Sequence, residues 1–317
     1  MTADLDPRDL AAEERSQLVI DAGNEEPMGI VPGLHPATAL SNDAYHALTD
    51  WYSSTQLKKA LPEHYKEGGS QAALDFGTLV HAVVLEPDNL GHYEPADAAK
   101  IGVKADGTPA QTPTMTAAWK RFVAEAEQDG KTVIDQADWD AAHRIRDAIA
   151  THPVASETLY GDGVSEESAF AVDENSVRHK ARFDRRIPGA VIDLKTTSGR
   201  IGAKALARTI VDYGYELSAA HYLAVADLLD LDVQTFAWVF VTKGDPTRIN
   251  YVEVDDAFLD RGRMLRELAL SRLTNPDADA YEGATSRLLI ELPPWARLTP
   301  TESTIPADFI WRPDDYS

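Results

Sequence analysis

The sequence contains no cysteine. That absence excludes disulfides, iron–sulfur clusters and cysteine-held zinc, and it makes a cytoplasmic protein the default expectation. No stretch approaches the roughly 18 consecutive apolar residues of a membrane span, so no membrane partner is expected. The opening "MTADLDPRDL" is acidic, lacks an apolar centre, and does not read as a secretory signal. A G-x-x-x-x-G-K-[ST] phosphate loop is missing, so the chemistry is expected to run without ATP. Bases are scarce as well. There are 30 against 52 acids, a formal net charge of −22, which on average disfavours a polyanionic partner.

The few bases are unevenly placed. Residues 178 to 208 hold nine (Arg178, Lys180, Arg182, Arg185, Arg186, Lys195, Arg200, Lys204, Arg208) against two acids, Asp184 and Asp193. That window is +7 and the remainder of the chain −29. A solvated charged face is the ordinary cause of such a run. The alternative is a body that repels polyanions everywhere except along one basic track.

Length and composition, 317 residues with 44% hydrophobic and 26% charged, suit a globular chain of one large domain or two small ones. Residues 1–36 are acid-rich with little periodicity and read as a flexible tail. Residues 37–298 read as one domain, and 299–317 as a C-terminal tail. Ser53 or Ser54 is expected to cap a helix running to about Tyr65, and Leu79, Val80, Val83 and Val84 recur at helical spacing up to Pro87. Two further amphipathic helices are expected over 112–130 and 136–153. After residue 165 the period changes. Strands are expected at 167–172, 177–187 and 190–196, then two helices, two strands at 235–243 and 249–254, and a long helix from Asp256. The fold class is mixed α/β (α+β), a central mixed sheet flanked by helices.

The stretch "RFDRRIPGAVIDLKTT" (182–197) carries an aspartate and a lysine inside a run that is otherwise apolar at Val191, Ile192 and Leu194. Buried charges are costly unless paired or bound to an ion. Asp193 and Lys195, two apart on a strand, share one face. Asp184 ends the preceding strand, so with the strands adjacent both carboxylates and the lysine converge. A structural ion pair is the commoner origin of such a pattern. The sharper reading is a hard divalent ion, Mg²⁺ or Mn²⁺, held by carboxylates beside a lysine, which is equipment for phosphodiester hydrolysis. Glu166 opens the strand before these, with Glu167 as its rival for the same place. His81 sits on an apolar helix, where a lone histidine is more often a satisfied core residue. Tyr213, Tyr215, His221 and Tyr222 follow the lysine strand, and most such aromatics are core.

Taken in order, the motifs are Tyr45–His46 with Ser53, Ser54, Leu57 and Lys58, then Gly77, His81 and Leu85–Glu86–Pro87. Next come Glu166, Ser168 and Phe170, Arg182 and Asp184, and "IDLKTT" at Ile192 to Thr197. Tyr213, Gly214, Tyr215, Ala220 and Tyr222 close the series. This order resembles the RecE-type (exonuclease VIII-like) phage and prophage exonucleases of the PD-(D/E)XK nuclease superfamily, over roughly residues 40 to 300. Two positions depart from the family pattern. Phe183 stands where the family has proline, and Ser218 where it has a glutamine.

The resemblance implies a restriction-endonuclease-like core and a metal-dependent 5′-to-3′ exonuclease on linear double-stranded DNA. It also implies a RecT-type single-strand annealing partner and a ring-shaped homo-oligomer. By the same resemblance Asp184, Asp193 and the Leu194 carbonyl hold Mg²⁺ (or Mn²⁺), with Glu166 and His81 completing the shell or binding a second ion. Lys195 orients or activates water, and Glu166 is counted with the catalytic set. Arg178, Arg182, Arg200 and Lys204, with Tyr222, are the DNA-binding candidates. Competing readings are a Cas4-like endonuclease, disfavoured because those enzymes carry a cysteine-bound cluster, and a non-catalytic DNA-end-binding protein, which the serine at 218 favours.

Overall fold

The computed structural model describes residues 29–31, 50–66 and 68–274. In chain order its elements are β1 (Gly29–Val31), α1 (Ser54–Lys59), α2 (Gln71–Leu85), β2 (Tyr93–Ala96), α3 (Ala98–Ile101), α4 (Ala117–Gln128), β3 (Thr132–Asp135), α5 (Gln136–Thr151) and α6 (Pro153–Tyr160). Then come β4 (Val164–Val172), β5 (Arg178–Ile187), β6 (Gly189–Thr197), α7 (Ala203–Asp212), α8 (Tyr215–Leu228), β7 (Val233–Thr242), β8 (Ile249–Glu253) and α9 (Asp256–Thr274). None of the described helices is long and apolar enough to cross a membrane.

Six strands form one sheet in the order β1-β4-β5-β6-β7-β8, antiparallel except for the β6–β7 pair. A second, two-stranded parallel sheet joins β2 to β3. The parallel β6–β7 pair needs a crossover, and α7 and α8 supply it. Strand alternation sets what packs where. Ile192 and Leu194 of β6 and Val239 and Val241 of β7 meet Leu79, Val80 and Val83 of α2 and Ile145 and Ile149 of α5. On the opposite face Val191, Phe236, Trp238 and Phe240 meet Leu206 and Ile210 of α7 and Val225 and Ala226 of α8. The central strands are therefore apolar on both faces, which is why "TFAWVFV" reads as a continuous run rather than an alternation. A third cluster ties α1 to α8 and α9 through Leu57, Leu61, Leu217 and Leu265.

Two expectations need amending. Residues 29–31, assigned to the tail, form β1 and pair with Ser168 to Phe170 at the sheet edge. The stretch between α2 and α5, expected to hold a single helix, carries α3, α4 and the small β2–β3 sheet; strands of four residues are too short to show a period. The proposed domain limits at 36 and 298 lie outside the described residues.

Candidate metal centre

The antiparallel ladder between β5 and β6 pairs Arg185 with Ile192, Arg186 with Val191 and Ile187 with Ala190. Asp184 and Asp193 stand at the next step, where that pairing ends. A strand residue there needs other partners for its backbone groups. Side chains provide them. The Leu194 N–H donates to the Asp184 carboxylate at 2.8 Å, and the Leu194 carbonyl faces His81 Nε2 at 2.9 Å. β5 and β6 are thus neighbours, as expected, but they open where the two aspartates lie.

His81 comes from the middle of α2, the helix packed on the Ile192–Leu194 face. Its Nδ1 lies 3.2 Å from Glu166 Oε1, and its Nε2 lies 3.6 Å from Asp184 Oδ2. Both ring nitrogens face oxygen acceptors, so the ring is held as a charged donor on both sides, and it must give up a proton before either nitrogen can ligate a cation. Burial opposes that charge, yet Asp184 and then Glu166 prevail and push the imidazole up to about 9. Ligand atoms of His81, Glu166 and Asp184 all lie within 4.8 Å of one another. Two carboxylates, a carbonyl and an imidazole make an oxygen-rich donor set that fits a hard divalent cation.

Glu166, not Glu167, faces this group. Glu167 is turned to Arg186, which donates to it from Nε at 2.6 Å and from Nη2 at 3.0 Å. Glu166 has φ +50°, in the left-handed region a β-strand residue rarely visits. Its neighbours Ser165 and Glu167 pair with β5, so this local twist is what aims the carboxylate at His81. Such a conformation costs on the order of 1–3 kcal/mol and persists where surrounding structure enforces it.

Asp193 lies outside the 4.8 Å group. It pairs with Lys195 at 2.6 Å, on the face of β6 that α8 covers. Burial pushes the Asp193 carboxyl up to about 6, against the opposing pull of Lys195 and with the added charge of Asp184. Burial also acts against the Lys195 ammonium, but Asp193 and Asp184 outweigh it and hold the ammonium well above the usual lysine range. Lys195 is therefore a fixed cation rather than a base. Its Nζ sits 5.5 Å from the centroid of the Tyr215 ring.

Glu86, at the C-terminal cap of α2, is a further member to which the sequence assigned no role. Burial and then Glu166 push its carboxyl up to about 9, so it stays protonated beside the cluster. Lys58 is another: Asp193 and Lys195 both act on it electrostatically. Both residues stand inside motifs of the resemblance, "SSTQLK" and "LEP", and their positions were the only signal.

The nine-base window does not form one exposed track. Arg185 is buried and donates to Ser165 Oγ at 3.0 Å and to the Gly161 carbonyl. Arg186 serves Glu167, Lys195 serves Asp193, and Lys180 is 3% exposed. Of the DNA-binding candidates, Arg200 and Lys204 are exposed, while Arg182 donates to Ser168 at 3.2 Å and Arg178 pairs with Asp50. Arg200 and Arg248 line a concavity of about 570 Å³ beyond the ends of β6 and β7, separate from the metal-type group. Tyr222 packs against Phe183 and Phe236, with centroids 5.7 and 6.0 Å away, and is a core aromatic. Ser218 turns its hydroxyl back to the Gly214 carbonyl at 3.4 Å.

The model of a family described as a PDDEXK-like domain of unknown function (DUF3799) matches residues 44–278. A solved structure from Eubacterium rectale, described as a putative exonuclease, is similar over 78% of this chain and 92% of that one. Its sequence identity is 15% and its TM-score 0.47, too distant a likeness to carry an argument. No curated protein matches.

Proposed function

Since the chain belongs to the PDDEXK-like domain family whose model spans residues 44–278, we propose that it is a divalent-metal-dependent nuclease, and specifically a 5′-to-3′ exonuclease on linear double-stranded DNA. The observation that carries the nuclease reading is the convergence of His81, Glu166 and Asp184 within 4.8 Å, at the opening where the Asp193–Lys195 pair also lies. When bound, a Mg²⁺ or Mn²⁺ ion supplies charge to the phosphate and acidity to water. Asp184, Glu166, His81 and the Leu194 carbonyl are the residues to hold it, with Asp193 joining from the far side of β6.

The chain's own contributions follow from the geometry. Asp184 is anchored by the Leu194 N–H, so its second oxygen is left for a ligand. A permanently charged Lys195 orients the attacking water and neutralises charge on the phosphate as it builds. The apolar layers on both faces of β6 keep these groups rigid. The finer proposals rest on motif order: digestion that leaves 3′ overhangs, an annealing-protein partner, and a ring of copies around the duplex.

The test is digestion of linear duplex carrying one 5′ phosphate, in Mg²⁺ and in Mn²⁺, beside closed circular duplex and an Asp193→Ala protein. Loss of the phosphorylated strand from its end, absent with circles and with the variant, is the expected result. Binding without cleavage in either metal favours the DNA-end-binding reading instead. Cleavage of the circle turns the proposal from exonuclease to endonuclease.

A further inference from the structure

Lys58 stands out among the lysines. Lys66, Lys131, Lys195 and Lys243 each have a carboxylate within 2.7 Å. Lys58 is half-buried on α1, and its ammonium has no hydrogen bond or ion pair among the described residues. Its Nζ lies 5.8 Å from the centroid of the Tyr215 ring, the ring that Lys195 approaches to 5.5 Å. Two cations thus converge on one aromatic ring, and the adjacent Asp193 carboxylate is already taken by Lys195. Burial and then the like charge of Lys195 pull the Lys58 ammonium down to about 8.

The placement is built. A capping box between Ser53 and Gln56 fixes the start of α1, with Ser53 N–H donating to Gln56 Oε1 at 2.8 Å. Leu57, fully buried against Leu61 and Leu217, sets the helix rotation so that Lys58 is directed toward α8. Its stem passes over Gly214, where an added Cβ would stand 2.9 Å from Lys58 Cδ and 2.7 Å from the Tyr65 ring. Gly214 has φ +64°, so two requirements, conformation and room, fall on one glycine.

A cation held near another cation in partial burial is unfavourable unless an anion completes the set. His81 reaches β6 from the α2 face, whereas Lys58, Tyr215 and Lys195 stand on the α8 face. We propose that Lys58 is a second phosphate-binding lysine of this site, its ammonium holding a non-bridging oxygen of the scissile phosphodiester on the side opposite the His81–Glu166–Asp184 group. The inference rests on the nuclease reading. It gives that reading a two-sided clamp: a metal on one face of the strand and paired ammoniums on the other.

The experiment is single-turnover cleavage of 5′-phosphorylated linear duplex in Mg²⁺ by the full-length wild type, Lys58→Met, Lys58→Arg and Asp193→Asn. Mn²⁺ affinity by calorimetry and thermal melting are measured on the same proteins. Lys58→Met is expected to slow cleavage of bound DNA by about 100-fold, the usual loss when one oxyanion donor is removed. Lys58→Arg should recover most of that rate, while Mn²⁺ affinity and melting stay at wild-type values. The same deficit is expected on duplex ending in a 5′ hydroxyl. A deficit that vanishes on that substrate assigns Lys58 to the terminal phosphate and overturns the scissile assignment. Lys58→Met cutting as fast as wild type, with Asp193→Asn inactive, overturns the inference and leaves the nuclease reading intact. So does a loss shared by Lys58→Met and Lys58→Arg that tracks their melting temperature. A wild type that cuts nothing in Mg²⁺, nor when Mn²⁺ replaces it in the same assay, overturns both.

Discussion

His221 shows how much one ring can constrain. It is fully buried on α8, its Nε2 donates to the Lys180 carbonyl at 3.0 Å, and its Nδ1 accepts from Arg266 Nε at 3.3 Å. Both nitrogens are thus committed to the neutral tautomer, a state assigned from the partners each faces. Burial and then the Arg266 charge drive its pKa down to about 3. An unfolded histidine titrates near 6.5, so above that pH neither state binds the proton and this residue's stabilisation is complete. Below it the unfolded chain takes up a proton that the folded ring refuses, and the stabilisation is lost as pH falls toward 3. Between pH 7 and pH 5 this costs about 2 kcal/mol. Urea unfolding at the two pH values should show wild type losing more than His221→Gln by that amount; equal losses would contradict the assignment. The sequence placed His221 among aromatics of the core and the structure agrees. It could not show the ring's partners, because Lys180 and Arg266 lie 41 and 45 residues away. The same limit hid Glu86 and Lys58. Both were visible as letters in a motif, but a role arises only from what the fold brings beside them.

At the scale of elements, the packing of α8 on α9 depends on Gly262. A Cβ there would meet the Glu216 carbonyl oxygen at 2.2 Å and Ala220 Cβ at 3.1 Å. Glu216 itself is buried and paired with Arg261, so the helices are fixed on both sides of the crossing. Replacing a helical glycine with alanine ordinarily gains up to about 1 kcal/mol. Here the obstruction is backbone, and overpacking of about 1–3 kcal/mol should win. Gly262→Ala is therefore expected to lower the melting temperature; an increase would mean that the helices separate freely. The long elements were legible from the sequence because their burial imposes a period: α2, α5, β5, β6, β7 and α9 all lie near their expected positions. The short pieces between α2 and α5 were not, since their structure comes from pairing across 39 residues rather than from local pattern (Tyr93 with Thr132). The opening between β5 and β6 was also invisible. Nothing in "RFDRRIPGAVIDLKTT" says that pairing stops one step before its two aspartates.

For the molecule as a whole, the proposed function requires a chain with net charge −22 to meet a polyanion. Arg185 and Lys180 are buried, and Arg186 and Lys195 are tied to carboxylates, so composition overstated the basic surface. Arg200 and Lys204 are the exposed remainder of the window nearest the ends of β6 and β7. Few phosphate contacts imply a shallow salt dependence. An Arg200→Ala/Lys204→Ala protein should bind duplex more weakly whatever its sequence. Its slope of log affinity against log salt should be smaller by about 2, one for each phosphate left unneutralised. An unchanged slope would place the DNA elsewhere. β1 carries a last consequence. By composition, residues 1–36 invite removal, but Gly29 to Val31 hydrogen-bond along Ser168 to Phe170 of β4. Cutting there would bare the outer rim of the sheet two residues from Glu166, leaving a row of donors and acceptors ready to template a strand from another copy. A shortened protein would then clump, or add a foreign strand and shift Glu166, and its lost activity would be mistaken for proof that the acidic segment is catalytic.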